Sequence, residues 1–292
     1  MTALSPISID PRTFFRKQHA LPALPQVIGQ IQSIIRDPNV DVVAVSELIS
    51  ADPGLVAQLL KIVNSAYFGL SREITEVRLA IAYLGLNEVY HLVLSLAVLN
   101  TLDIKQTEEL IKFWFHSFYA ALCTKYLAKR YEPLLSYEEL WSAAMLHDIG
   151  KLVYLKFFPE HYMALISFKE QEGCFFSDAE KHFSLPPSAS LGIMLCDHWQ
   201  LPAKVRCACE FHTLQDLVQL RKDSPSAAFK RMICTGNLLA VLSTDTLNDA
   251  TKHKVAKVTR AALGCTEPEF LSMMGDIYDL KVEVEKFSEK LA

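Results

Sequence analysis

Apolar residues recur every third or fourth position along nearly the whole chain, and no alternating apolar–polar run persists. That spacing lays a stripe along a helix and nothing useful along a strand. It confines the chain to all-α, multi-helical architectures in which each helix buries its stripe against a neighbour. From Leu24 to Arg36 the stripe is Leu24, Val27, Ile28, Ile31, Ile34 and Ile35, and Val42 to Ile49 and Leu55 to Val63 follow the same rule. Leu92 to Leu99, flanked by His91 and Asn100, is apolar all round and reads as a buried core helix.

Punctuation supports this reading. Glycine is sparse, with 10 residues in 292. Asp10-Pro11, Asp52-Pro53 and Leu201-Pro202 each place proline at a first helical position, where its missing N–H is no loss. Ser136-Tyr137-Glu138-Glu139 and Thr266-Glu267-Pro268-Glu269 have capping-box spacing.

Residues 1–14 form an N-terminal extension and 15–102 a first set of short helices. Thr101 to Thr107 is a polar link, and a second helical bundle with a C-terminal helix occupies 108–292. The alternating Lys and Glu of the tail from Tyr278 to Ala292 mark a solvated helix face. No internal repeat or low-complexity segment is present.

Net charge is −4, so no basic surplus supports a nucleic-acid partner. No segment reaches the roughly 18 apolar residues of a membrane span. Met1 to Asp10 carries no signal-peptide pattern, which points to the cytoplasm. The seven cysteines lack Cys-x-x-Cys pairs, which argues against a disulfide framework or zinc knuckle.

The most demanding chemistry is His147-Asp148, set in Ala144-Met145-Leu146-His147-Asp148-Ile149-Gly150-Lys151-Leu152. A carboxylate in such apolar surroundings needs a cation or hydrogen-bond donors. Metal ligation meets that need, and so does a structural, neutral hydrogen-bonded cluster with His116 donating to Asp148 or to a carbonyl. Lys151, three residues on, shares a helix face with Asp148 only if the helix continues through Gly150, and a glycine there reads instead as a helix end.

Seven segments then follow one another in order: Leu21-Pro22-Ala23-Leu24-Pro25, Asp52-Pro53-Gly54-Leu55, Asn64-Ser65-Ala66-Tyr67-Phe68-Gly69, Ala80-Ile81-Ala82-Tyr83-Leu84-Gly85-Leu86, Trp114-Phe115-His116-Ser117, Leu146-His147-Asp148-Ile149-Gly150-Lys151-Leu152 and Trp199-Gln200-Leu201-Pro202. Together they resemble the HDOD family, HD-related output domains of bacterial signalling proteins, from about residue 15 to at least 245. The resemblance implies an N-terminal helical subdomain packed on an HD-like bundle, with a regulatory role; members are often fused to other signalling domains, and this chain is expected to stand alone.

It also implies where metal ligands belong. His116, His147, Asp148 and His212 could hold a single divalent metal ion at most. The positions for a second are occupied by Ser188 (counted from Glu180), Phe211 and Asn237. The cofactor expectation is therefore none or one divalent metal ion. If the chain is an enzyme, Asp148 and Lys151 are its catalytic residues, and the reaction is metal-dependent phosphohydrolysis of a nucleotide or cyclic dinucleotide. The preferred expectation is a regulatory or scaffolding module that contacts a signalling protein partner, gated by a small ligand in the HD pocket, with no nucleic acid and no membrane involved. A nucleotide sensor that keeps the pocket without the chemistry is a third reading.

The remaining features read more plainly. His91 is a core histidine, and His19, His161, His182 and His253 are surface residues. Asp197-His198 is helix surface. Asn64 to Gly69 is a helix terminus with an aromatic plug, or a groove in which Tyr67 and Phe68 anchor a partner, with Arg72 and Arg78 available to an anionic one.

Overall fold

The computed structural model describes residues 7, 9, 14, 21–35, 40–64, 68, 70, 72–105 and 107–291. The expectations for Asp10-Pro11, His19, Arg36 and the stretch Ser65–Tyr67 with Gly69 lie outside the described residues. Among the described residues there is no strand, and no single helix is long and apolar enough to cross a membrane. The chain divides into two compact units, Pro22–Asp103 with Val282–Ala292, and Met1–Leu21 with Ile104–Lys281. The end of the C-terminal helix thus groups with the first helices, where the sequence carries the second part to residue 292.

In the first of these units, α1 is Gln26–Ile34, α2 Val42–Ser50, α3 Pro53–Val63, α4 Val77–Leu84 and α5 Leu86–Thr101. Asp41 and Asp52 cap α2 and α3, accepting from Val43 N at 2.8 Å and Leu55 N at 3.0 Å, with Pro53 at the first helical position. Leu92 to Leu99 is buried throughout, as an all-apolar helix must be, and His91 is half-buried against the Tyr90 ring. Asn64 ends α3 by clamping the loop that follows. Its Nδ2 donates to the carbonyls of Leu60 and Ile74, and its Oδ1 accepts from Ile74 N at 2.7 Å.

The other unit contains α6 (Glu108–Tyr131), α7 (Tyr137–Leu146), α8 (Ile149–Phe157), α9 (Pro159–Glu172), α10 (Phe176–His182), α11 (Ser188–Trp199), α12 (Ala203–Glu210), α13 (Leu214–Gln219), α14 (Ala227–Thr244), α15 (Asp249–Leu263) and most of α16 (Glu267–Leu291). Helix α6 packs on α7 and α14, α8 on α11, and α12 on both α7 and α11. Two glycines allow the closest approaches: a Cβ at Gly236 would overlap Thr124, and one at Gly150 would overlap the Ser188 backbone. Gly150 therefore lies in the first turn of α8 and does not end a helix, because α8 and α11 touch there backbone to backbone.

Pro202 is the residue before α12, with the helix starting at Ala203. In α16, Met273 and Ile277 are buried ahead of the charged tail and Val284 within it, and the Tyr119 hydroxyl donates to Ile277 O at 2.8 Å.

Candidate metal centre

His147 and Asp148 do not lie inside one helix; they form the joint between two. His147 ends α7 in helical conformation, and Asp148, at φ −104° and ψ 11°, precedes α8. Neighbours within a helix point about 100° apart. The break removes that constraint and brings the His147 Nε2 to 3.2 Å from Asp148 Oδ2.

Two further histidines reach the same carboxylate. His116, from the middle of α6, places Nε2 3.4 Å from Oδ2. His212, in the turn between α12 and α13, places Nε2 3.4 Å from Oδ1. Lys151, one turn into α8, sets its Nζ 2.5 Å from Oδ2. The three candidate histidines and Lys151 are thus brought to the fourth candidate, Asp148. Ion pairing of Asp148 with Lys151, unexpected if Gly150 ended a helix, follows from α8 starting at Ile149. The cluster is closed except toward His116 and Lys151, whose side chains keep 17% and 22% of their exposure.

The ring orientations decide the chemistry. His147 Nδ1 lies 2.6 Å from Ala144 O, and His212 Nδ1 lies 3.1 Å from Ala208 O. A carbonyl only accepts, so each Nδ1 carries the hydrogen, and in a neutral ring Nε2 is a bare lone pair. Burial lowers the pKa of His116, and that of His212 to about 4, so both rings are neutral at pH 7. Burial pushes the Asp148 carboxyl up, but the neighbouring His147, Lys151 and His116 hold it well below the usual carboxylate range. An ionised carboxylate therefore faces the Nε2 lone pair of His212. Lys151 satisfies Oδ2, while Asp148 Oδ1 and the Nε2 atoms of His116 and His147 are buried with no hydrogen-bond partner.

A cation is what such an arrangement accepts. A tetrahedral site with metal–ligand bonds of about 2.1 Å has ligand–ligand edges of about 3.4 Å, close to the 3.2 and 3.4 Å that separate Asp148 Oδ2 from His147 and His116. Among the described residues, His116, His147 and Asp148 are the one group of three such side chains whose ligand atoms all lie within 4.8 Å of one another. His212 adds a fourth at the other carboxylate oxygen.

The positions expected for a second metal do different work. Ser188 begins α11, and its N–H donates to Glu180 Oε1 at 2.7 Å. The Phe211 ring lies under Lys230 Nζ at 3.8 Å. Asn237 Nδ2 donates to His212 O at 2.9 Å and so holds the backbone of a candidate ligand.

A family model for the HDOD domain matches residues 21–214. The chain belongs to the HDOD family. An uncharacterised protein of Treponema pallidum (strain Nichols) is 27% identical to this HDOD chain over 192 residues, covering 66% of the chain but only 37% of that protein. The fold is shared with an HDOD domain protein of unknown function from Geobacter sulfurreducens (TM-score 0.70, 21% identity, 95% and 96% of the two chains covered). It is shared with a candidate phosphohydrolase from Shewanella amazonensis SB2B (TM-score 0.68, 23% identity, 94% and 97% covered). It also matches a candidate signal transduction protein from Marinobacter aquaeolei VT8 (TM-score 0.72, 19% identity, 92% and 59% covered).

Several other residues are placed differently from expectation or had escaped it. His161 is buried, because His161, Tyr162 and Leu165 share the inward face of α9, whereas His182, His253 and Asp197-His198 are exposed. Cys196 and Cys209 meet at 3.7 Å between α11 and α12. Glu180 is buried on α10, and burial raises its carboxyl to about 7 although the Ser188 side chain and N–H and the Lys151 charge oppose the shift. The signal for Glu180 is in the sequence: it occupies the third place of the inward pattern Phe176, Ala179, Glu180, Phe183.

Proposed function

We propose that this HDOD chain is a regulatory module of a bacterial signalling pathway whose HD pocket holds one divalent cation. The observation that carries the reading is the surroundings of Asp148. Three imidazole nitrogens converge on one carboxylate within 3.4 Å, while Ser188, Phe211 and Asn237 stand where a second ion would need ligands. His116, His147, Asp148 and His212 would hold the ion. Three imidazoles and one carboxylate suit a transition ion such as zinc, iron(II) or nickel better than magnesium or calcium. Such an ion, when bound, lowers the pKa of a coordinated water and neutralises phosphoryl charge. A two-metal clamp on attacking and leaving oxygens lacks its ligands in this chain. Output would pass through contact with a signalling protein, with a small ligand in the pocket as the gate.

Two observations favour the competing reading, a one-metal phosphohydrolase acting on a nucleotide or cyclic dinucleotide. Lys151 offers a cation beside the ligands, and Glu180 is a buried carboxyl that changes charge near pH 7. Incubation with a panel of nucleotides and cyclic dinucleotides in the presence of manganese separates the two. The regulatory reading expects no turnover above that of Asp148→Ala. Hydrolysis abolished by that substitution would establish the enzyme.

A further inference from the structure

We infer that Lys151 is a tethered competitor for the cation: it holds Asp148 Oδ2 in the metal-free protein and gives that oxygen up when a metal binds. The inference rests on the metal reading above and extends it to how the site is filled.

Lys151 Nζ is 2.5 Å from Oδ2, the same oxygen that His116 and His147 approach at 3.4 and 3.2 Å. A metal bound by those three groups and the lysine ammonium would be two cations at one buried carboxylate. They repel strongly where little water screens them. The ligating side chains are held from behind, His147 by Ala144 O and His212 by Ala208 O. Lysine is the mobile party, a compact charge on a flexible stem with 22% of its side chain exposed.

The structure also offers it a place to go. Nζ already lies 5.2 Å from the centre of the Phe176 ring on α10. Glu180 is one turn further along the same helix, so the two share a face, and its carboxyl is within electrostatic reach of Lys151. Above about pH 7, where Glu180 has given up its proton, metal arrival exchanges an Asp148–Lys151 pair for a Lys151–Glu180 pair. Two consequences follow. The buried carboxylate is never left uncompensated, so the chain folds without metal. The affinity for metal is set below what four such ligands would otherwise give, and α10 experiences whether the site is filled.

Titration of the metal-free protein with cobalt(II) at about pH 8, above the Glu180 pKa of about 7, followed by its visible absorption, tests this on the wild type, Lys151→Gln, Lys151→Arg and Glu180→Gln. Glutamine can still donate to Oδ2 but carries no charge, so Lys151→Gln should bind cobalt at least about tenfold more tightly, the scale of one charge interaction near a protein surface. Lys151→Arg, which keeps the charge, should stay near the wild type. Glu180→Gln removes the alternative partner and should weaken binding. Should Lys151→Gln fold poorly without metal, Glu180→Gln still decides, since unchanged affinity there overturns the exchange. Equal or weaker binding by a folded Lys151→Gln overturns the competition while leaving the metal reading intact. No binding by either the wild type or Lys151→Gln removes the metal reading and the inference with it.

Discussion

His147 Nδ1 donates to the carbonyl of Ala144 at 2.6 Å, and that one bond fixes which nitrogen faces Asp148. His212 is held in the same way, its Nδ1 3.1 Å from Ala208 O, and burial lowers its pKa to about 4, so that ring is neutral at pH 7 with the hydrogen on Nδ1. Long-range proton–nitrogen spectra at pH 7 should therefore show His212 with Nδ1 protonated and Nε2 bare. Protonated Nε2 in His212 would restore the metal-free hydrogen-bonded cluster as the better account.

Glu180 makes stability depend on pH. It keeps its proton up to about pH 7 when folded, against an ordinary value of 4.5. The folded state binds the extra proton between those values, so its contribution is full below 4.5 and is lost as pH rises through about 7. Glu180→Gln should gain stability relative to wild type across that window, by up to about 3 kcal/mol at about 1.4 kcal/mol per pH unit. Denaturant unfolding at pH 4.5 and pH 8 checks it; a difference independent of pH would contradict the buried protonated carboxyl.

Two glycines should respond to the same substitution with opposite sign. Gly150→Ala drives a Cβ into the Ser188 backbone, and overpacking of that kind costs about 1–3 kcal/mol. Gly29, inside α1, has nothing within 4 Å of its Cβ position, so Gly29→Ala should stabilise by about 0.5–1 kcal/mol. Thermal melting of the pair is the check, and a harmless Gly150→Ala would mean that α8 and α11 are further apart than described.

Asn64 bonds the end of α3 to both backbone groups of buried Ile74. Asn64→Ala leaves those groups unpaired and should cost about 1–3 kcal/mol. Hydrogen exchange should show the loss first at the Ile74 amide; unchanged protection there would argue against the clamp.

Much of the site was legible because its chemistry is carried by residue type. His116, His147, Asp148 and His212 are distinctive in apolar surroundings, and ordered motifs placed them in a family. Other features depend on distant partners. Gly150 reads as a helix end until Ser188, far along the chain, is seen against it. No proline or glycine precedes the break at Asp148, so His147-Asp148 looks like part of one helix. The pairing of Cys196 with Cys209 requires the packing of α11 on α12, which a single sequence does not display. Glu180 and His161 were readable by periodicity, since each falls on the inward face of its helix.

The most direct test of the metal centre is the metal stoichiometry of the purified chain, stripped, reloaded with zinc and measured by mass spectrometry of the elements beside His147→Ala. One ion per chain, absent from a folded His147→Ala, is the predicted result. No ion, two ions, or an ion that persists in the variant would contradict a single-cation centre built on His147 and Asp148.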